Sequence, residues 1–154
     1  MHSYKDFNYL SDFMWETVIC ISIFDHWLSE VEAEQCNTMC YNISLKNNSL
    51  NKYLKGEEKF LNFYLQLFDE NCFNDNKKIN FDEYKTAIIN SLREQRLMDI
   101  YVKNGKVRLQ GGFDRTDQIF VANASLIPDI IKKLEMSKLH VLEIMNYEDY
   151  LKLT

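Results

Sequence analysis

Hydrophobic residues recur every three or four positions through the first forty residues of the chain. Residues at this spacing lie on one face of a helix, so the pattern predicts a single long N-terminal helix. The apolar stripe consists of Phe7, Leu10, Met14, Ile21, Phe24, Leu28 and Val31, widened by Tyr9, Phe13, Cys20, Ile23 and Trp27. The polar edge of the same helix carries four acidic residues, Asp12, Glu16, Glu30 and Glu34.

Two more helices are predicted before residue 98. An Asn/Ser-rich loop over 42–51 is followed by aromatic and leucine residues at helical spacing, which predict a helix over 50–69. Asn80 suits the N-cap of another helix, and Glu83 three positions later completes the pattern of a capping box. We expect that helix to continue to about Leu97.

The period of the hydrophobic pattern changes from 3.6 to 2 after Met98. Apolar residues alternate over 100–103 and 106–109 on either side of Asn104-Gly105. Asn-Gly between two such runs is a strong signal for a β-hairpin with a two-residue turn, in which Gly105 adopts a positive φ. The rest of the chain is predicted to form a strand over 118–122, a helix over 125–136, a strand over 139–145 and a short closing helix over 147–153.

These elements together predict an α+β protein. About three helices in the N-terminal half pack on a small, mainly antiparallel sheet of about four strands, with a helix at the C-terminus. We expect a single domain over residues 1–154, mainly helical over 1–97, with a hairpin, strand, helix, strand and helix over 98–154. The chain is 46% hydrophobic and 14% aromatic, which is ample for a core.

The hydrophobic pattern also bears on location. The longest apolar run covers 18–24, far short of the ~20 residues that a membrane-spanning helix needs, and the chain does not open with a signal-peptide pattern. We therefore expect a cytoplasmic protein that makes no contact with membranes. Its four thiols, Cys20, Cys36, Cys40 and Cys72, are then expected to be reduced.

Charge is distributed unevenly along the sequence. Residues 1–76 contain twelve Asp/Glu against five Lys and no Arg, and they also contain Trp15, Trp27 and seven of the ten Phe. Residues 77–115 reverse the balance with nine Lys/Arg against five acids, and 116–154 are mildly acidic. An acidic, aromatic-rich surface attracts a basic protein and repels nucleic acid.

The cysteine and histidine residues show no convincing metal-binding pattern. His26 and Glu30 stand four positions apart, and Cys36 and Cys40 repeat that spacing. A straight helix cannot wrap these four ligands around one ion, whereas zinc sites usually show tighter Cys pairs. We therefore expect the thiols and His26 to have structural roles.

Two other residue pairs contain side chains of the kinds that act in catalysis. Cys72 and His140 supply a thiol and an imidazole, but nothing in the sequence brings them together. Asp129 followed by Glu143 resembles the acidic pair of a large nuclease superfamily, yet position 145 is Met145 where that pattern requires Lys. We therefore expect no catalytic residues, no metal and no cofactor, and we do not expect an enzyme.

The segment Phe81–Leu109 indicates an alternative function. A helix with basic residues runs directly into the Asn-Gly hairpin, which also carries Lys and Arg. This order resembles the recognition helix and wing of winged-helix DNA-binding domains, over about thirty residues. The resemblance implies a DNA-binding regulator, although the overall net charge of −5 opposes phosphate binding.

The leading hypothesis is a small acidic module that binds a basic protein. Its specific form is an immunity protein or antitoxin that neutralises a basic toxin domain, such as a nuclease, by occlusion. Carboxylates interleaved with aromatic residues can steer such a partner and then anchor it. The predicted partner-binding residues are Asp12, Glu16, Glu30, Glu34, Glu57, Glu58, Asp69 and Glu70. The winged-helix regulator is the alternative.

Overall fold

A computed structural model describes residues 15–75 and 77–154 of the chain. In this part of the chain seven strands form one antiparallel sheet. The strands are β1 (Thr17–Ser22), β2 (Phe73–Asn74), β3 (Lys77–Lys78), β4 (Asp99–Val102), β5 (Val107–Gln110), β6 (Thr116–Val121) and β7 (His140–Asn146). Their spatial order is β3-β2-β4-β5-β6-β1-β7.

Six α-helices of the described residues are interleaved with these strands. They are α1 (Glu30–Gln35), α2 (Tyr41–Lys46), α3 (Leu50–Leu65), α4 (Phe81–Leu92), α5 (Ile127–Met136) and α6 (Tyr147–Leu153). A 3₁₀ turn at Ala124–Leu126 leads into α5. No helix in the described ranges has the length and apolar character needed to cross a membrane.

Alternating side chains of the strands enter two separate cores. One face of the sheet, including Ile19 and Ile21 of β1, packs against aromatic and aliphatic residues of α3, α4 and α5. The opposite face forms a smaller cluster around Trp15, Val18 and Phe120, on which the tyrosines of α6 pack. Because β1 is covered on both faces, its middle residues Val18–Ile21 are all apolar rather than alternating with polar ones.

The predicted arrangement of three N-terminal helices on a four-stranded sheet is wrong. Within the range predicted as one long helix, residues 17–22 form the strand β1 and only 30–35 form a helix, while 1–14 lie outside the described residues. The run Val18-Ile19-Cys20-Ile21 is apolar and rich in β-branched residues. Such a run fits a doubly covered strand as well as a helix, and its hydrophobic period cannot decide between them.

Two short strands, β2 and β3, were not predicted. They form a hairpin in the polar segment 70–78, and Phe73 and Asn74 of β2 pair with the interior strand β4. A strand of two residues is too short to show the alternation that marks a strand in sequence. The predicted strands near 118–122 and 139–145 are present as β6 and β7.

The signals for helix starts and turns were more accurate, although α4 ends at Leu92 and not at about Leu97, and α3 ends at Leu65 and not at 69. Asn80 and Glu83 form the predicted capping box of α4, with both reciprocal hydrogen bonds present. The hairpin at Asn104-Gly105 is present and Gly105 has a φ of 81°, as expected. Its loop spans four residues rather than two, because Val102 pairs with Val107.

Candidate functional site

Two large aromatic side chains stand out from the surface at one end of the sheet. Trp27 is 54% exposed and Phe113 is 65% exposed. They lie on different loops, Trp27 after β1 and Phe113 between β5 and β6, yet both line one cleft of about 230 Å³. The lining of this aromatic cleft consists of Phe24, His26, Trp27, Leu28, Ala33, Met39, Phe113, Asp114, Thr116 and Leu142.

Helix α1 forms one side of the aromatic cleft. Ser29 and Glu32 make a capping box that fixes its first turn, with hydrogen bonds of 3.1 Å in both directions. None of its residues is buried, although Ala33 reaches the cleft. Glu30 and Glu34 are exposed on the same helix, three residues before and one residue after Ala33, and neither lines the cleft itself.

His26 lies in the cleft between two carboxylates. Its Nδ1 is 2.6 Å from Asp25 Oδ1 and its Nε2 is 2.6 Å from Glu32 Oε2. When both carboxyl groups are ionised, only the imidazolium form satisfies the two contacts together, because a neutral imidazole has one N–H. The Asp25 and Glu32 contacts raise the pKa of His26, and the same contacts lower the pKa of both carboxyl groups.

The loop that carries Phe113 is held by two carboxylates, the buried Asp117 and the half-buried Glu94. The Gly112 N–H donates to Asp117 Oδ1 at 3.0 Å, and the Asp114 N–H donates to Glu94 Oε1 at 2.9 Å. These bonds fix the backbone on both sides of Phe113. The ring is therefore presented to solvent by a rigid support, which reduces the entropy lost when it binds.

Arg115 anchors the same loop from inside the molecule. Its side chain is buried, its guanidinium carbon lies 4.1 Å from the centre of the Tyr53 ring, and it donates to the Tyr53 carbonyl at 2.9 Å. It also donates to the carbonyl of Thr38. Gly56 lies against the guanidinium, so a larger residue there would collide with it.

Asp117 is a buried carboxyl behind the loop. The Tyr64 hydroxyl donates to it at 2.5 Å, and burial raises its pKa to about 6. The nearest cavity, between Asp117 and Arg115, has a volume of only about 10 Å³. This is room for about one water molecule, so the charged cluster supports the loop and does not admit a substrate.

A larger cleft of about 530 Å³ lies between the β2–β3 hairpin and α4. Its charged groups are already engaged with one another or with neighbours: Asp75 with Arg96, Lys77 with Glu83, and Asp99 with Arg108. Among the charged side chains described there, Asp82 alone has no ion-pair partner. Because cations and anions alternate in these pairs, this larger cleft presents no cluster of one sign of charge.

The residues predicted to bind a partner do not form one surface. Glu30 and Glu34 are exposed beside the aromatic cleft, whereas Glu58 and Glu70 are exposed elsewhere, on α3 and after it. Glu16 accepts a hydrogen bond from the Ala124 N–H, and Asp69 accepts one from the Asn71 N–H. Asp12 lies outside the described residues.

Glu57 is 7% exposed and forms a two-point ion pair with Arg93, at 2.8 and 3.0 Å. It is therefore unavailable to a partner, and we leave it out of the binding surface. The helical spacing predicts Trp27 on a buried stripe, whereas its side chain is 54% exposed. The signal that could have corrected this is Ser29-x-x-Glu32, a capping box that starts a new helix two residues after Trp27.

The basic segment Phe81–Leu109 is built into the core of the fold. Strands β4 and β5 of its hairpin are flanked by β2 and β6, so the hairpin is the middle of the sheet and not a projecting wing. Its three arginines are paired with carboxylates: Arg93 with Glu57, Arg96 with Asp75 and Arg108 with Asp99.

No family model, curated protein or solved structure gives a significant match to the chain. Within residues 15–75 and 77–154, no group of three or more His, Cys, Asp or Glu side chains is placed to share a metal ion. The function is therefore inferred from the physical character of the surface.

Proposed function

We propose that the protein is a small acidic module that binds a basic protein through the aromatic cleft and its acidic rim. The specific form of the proposal is an immunity protein or antitoxin that neutralises a basic toxin domain by occlusion. One observation carries it: two side chains as large as Trp27 and Phe113 are mostly exposed, on separate loops, and line the same cleft. Exposed aromatic residues of this size are typical anchors of protein interfaces.

The charge around the cleft supports a basic partner. Glu30 and Glu34 are exposed, and neither has an ion-pair partner among the described residues. Asp25, Glu32 and Asp114 add further exposed carboxylates close to the aromatic rings. Such a field speeds the encounter with a positively charged surface, and the buried aromatic contact then slows dissociation.

The support of the Phe113 loop is consistent with an occluding surface. A binding loop that is already fixed by Asp117, Glu94 and Arg115 loses little freedom on association. The affinity of a small interface depends more on such preorganisation and on a few anchors than on area. A rigid aromatic anchor with an acidic rim therefore suits tight inhibition by a small protein.

The test compares three immobilised proteins: the parent, Trp27→Ala with Phe113→Ala, and the control Leu151→Ala with Leu153→Ala. The control removes equally exposed apolar side chains from α6, away from the cleft. Proteins captured by the parent are identified and purified, and their binding is measured directly. We expect a basic protein that binds the parent and the control but loses at least about thirtyfold in affinity, roughly 2 kcal/mol, with the cleft variant.

Two results would overturn the proposal. One is equal binding of every purified partner to the parent and the cleft variant. The other is binding of random duplex DNA at micromolar concentration and 150 mM salt, because the DNA-binding alternative predicts it and an acidic docking surface opposes it.

A further inference from the structure

We infer that the aromatic cleft takes an arginine side chain of the partner, whose guanidinium replaces the His26 imidazolium at Asp25 and Glu32. This inference rests on the proposed function and names the chemistry of the anchoring group. Three observations support it: the His26 ring between Asp25 and Glu32, the aromatic and apolar lining of the cleft, and the acidic residues around the cleft.

The cleft already holds a cation of its own. The His26 ring lies between Asp25 and Glu32 with 2.6 Å to each, and all three side chains are about half or more exposed to solvent. The two carboxylates are thus spaced to receive a flat cation that donates hydrogen bonds in two directions. A guanidinium has five N–H donors in one plane, and it meets this requirement better than an ammonium group does.

The walls of the cleft suit the rest of an arginine side chain. Phe24, Trp27 and Phe113 supply aromatic faces, on which guanidinium groups stack favourably. Leu28, Ala33 and Met39 offer apolar contact to a methylene chain. The volume of about 230 Å³ lies below the ~300–1,000 Å³ of typical small-molecule pockets, so one inserted side chain fills it better than a free ligand would.

The remaining charges favour a cation. Asp114 lines the cleft from the β5–β6 loop, and His140 at the start of β7 is near enough to lower the pKa of Asp25. Three carboxylates therefore face two imidazoles. As pH rises, His26 loses its proton and ceases to compete for Asp25 and Glu32, so an incoming guanidinium should bind more tightly.

The probe is N-acetyl-arginine N-methylamide, and its control is the citrulline analogue, which has nearly the same shape and no charge. Binding to the full chain is followed by the NMR signal of the Trp27 indole N–H, assigned with Trp27→Phe. We expect the arginine probe at pH 8.5 to bind about fivefold more tightly than the citrulline probe, the effect of an exposed ion pair of ~1 kcal/mol with Asp25 and Glu32.

Three variants test the roles of the named groups. Glu32→Gln should remove the preference for arginine, and it retains the capping box because Gln serves there as well as Glu. His26→Gln should tighten arginine binding at pH 6 by about threefold, and this gain should shrink as pH rises, because His26 then loses the proton with which it competes. Glu58→Gln, an exposed acid on α3, is the control and should change nothing.

Equal binding of the arginine and citrulline probes, or an arginine effect that Glu32→Gln leaves intact, would overturn this inference. The proposed function is tested by a different measurement, and it fails if substitution of Trp27 and Phe113 leaves partner binding unchanged. If the partner needs both rings while the probes bind equally, the docking surface stands and its anchor is apolar. If loss of the two rings leaves partner binding unchanged and the two probes also bind equally, both proposals fail.

Discussion

One sign of charge predominates in the sequence of two regions, the basic helix–hairpin and the acidic aromatic cleft. The regions differ in whether those charges are paired within the fold. In the helix–hairpin, Arg93 and Arg108 each make a two-point contact with a carboxylate. In the cleft, Glu30 and Glu34 remain exposed, and Trp27 and Phe113 stand beside them.

The difference lies in where the opposite charges come from. Glu57 and Asp75 belong to the acidic segment of the sequence, and the fold brings them against Arg93 and Arg96 of the basic one. Net charge summed along a segment therefore overstates the charge that reaches a partner. A charge acts at a distance only when no residue from another segment neutralises it.

Charge reversal at two adjacent glutamates, made one at a time, separates the role of a buried carboxylate from that of an exposed one. Glu57→Lys should destabilise the fold by about 3 kcal/mol, because it leaves Arg93 unpaired and adds a second cation at a mostly buried site. Glu58→Lys, one position away and exposed, should change stability by no more than about 0.5 kcal/mol. Urea denaturation measures both. Similar values for the two variants would mean that the Glu57–Arg93 pair has no structural role.

The buried support of the Phe113 loop should respond to pH through Asp117. Its pKa is about 6 in the folded protein and near 3.8 when unfolded, so the folded state binds the proton more tightly. Stability from this group is present below pH 4 and is lost as pH rises to 6. Between pH 4.5 and 7.5 the parent should lose about 2 kcal/mol relative to Asp117→Asn. Urea titrations at both pH values measure this difference, and a constant difference would contradict the raised pKa.

The position of the hairpin inside the sheet can be tested at its turn. Gly105→Val should destabilise the whole protein by about 1–2 kcal/mol, since Gly105 has a φ of 81° that a β-branched residue resists. Asn104→Gly, at another left-handed position, should be neutral or slightly stabilising and serves as the control. Thermal unfolding measures both. A projecting wing would instead loosen locally and leave the melting temperature of the core unchanged.

Charge reversal at the rim of the cleft should change the rate of association only modestly. Glu30→Lys with Glu34→Lys should slow association with a purified basic partner severalfold at low salt, by less than about 1 kcal/mol, and the effect should shrink as salt screens it. Reversal of the exposed Lys85 and Lys106 should leave the rate unchanged or raise it. Stopped-flow mixing over a salt series distinguishes these outcomes. The DNA-binding alternative requires the opposite ranking.

Local signals in the sequence were reliable where the backbone itself imposes them. The capping box at Asn80 and Glu83, the positive φ of Gly105 and the closing helix over 147–153 all follow from short-range geometry. The apolar run over 18–21 was misread because burial on both faces removes the alternation that would mark a strand.

The candidate site was only partly foreseeable. Glu30 and Glu34 were predicted as partner-binding residues, and they lie beside the cleft. Glu57 could not be separated from Glu58 by sequence, because its burial depends on Arg93, thirty-six positions away. Trp27 and Phe113 lie on two loops that are distant in sequence, so no local pattern predicts that they line the same cleft.

The place of β1 in the sheet has a consequence for how the chain is made. This strand lies between β6 and β7, so both of its neighbours are encoded about a hundred or more residues downstream. A ribosome must synthesise β7 before that strand can pair beside Ile19 and Ile21. Contacts of such long range carry a high loop-closure cost and slow folding towards the millisecond-to-second range. We expect nascent chains that end before His140 to leave one side of β1 unpaired and to depend on chaperones until β7 has been synthesised.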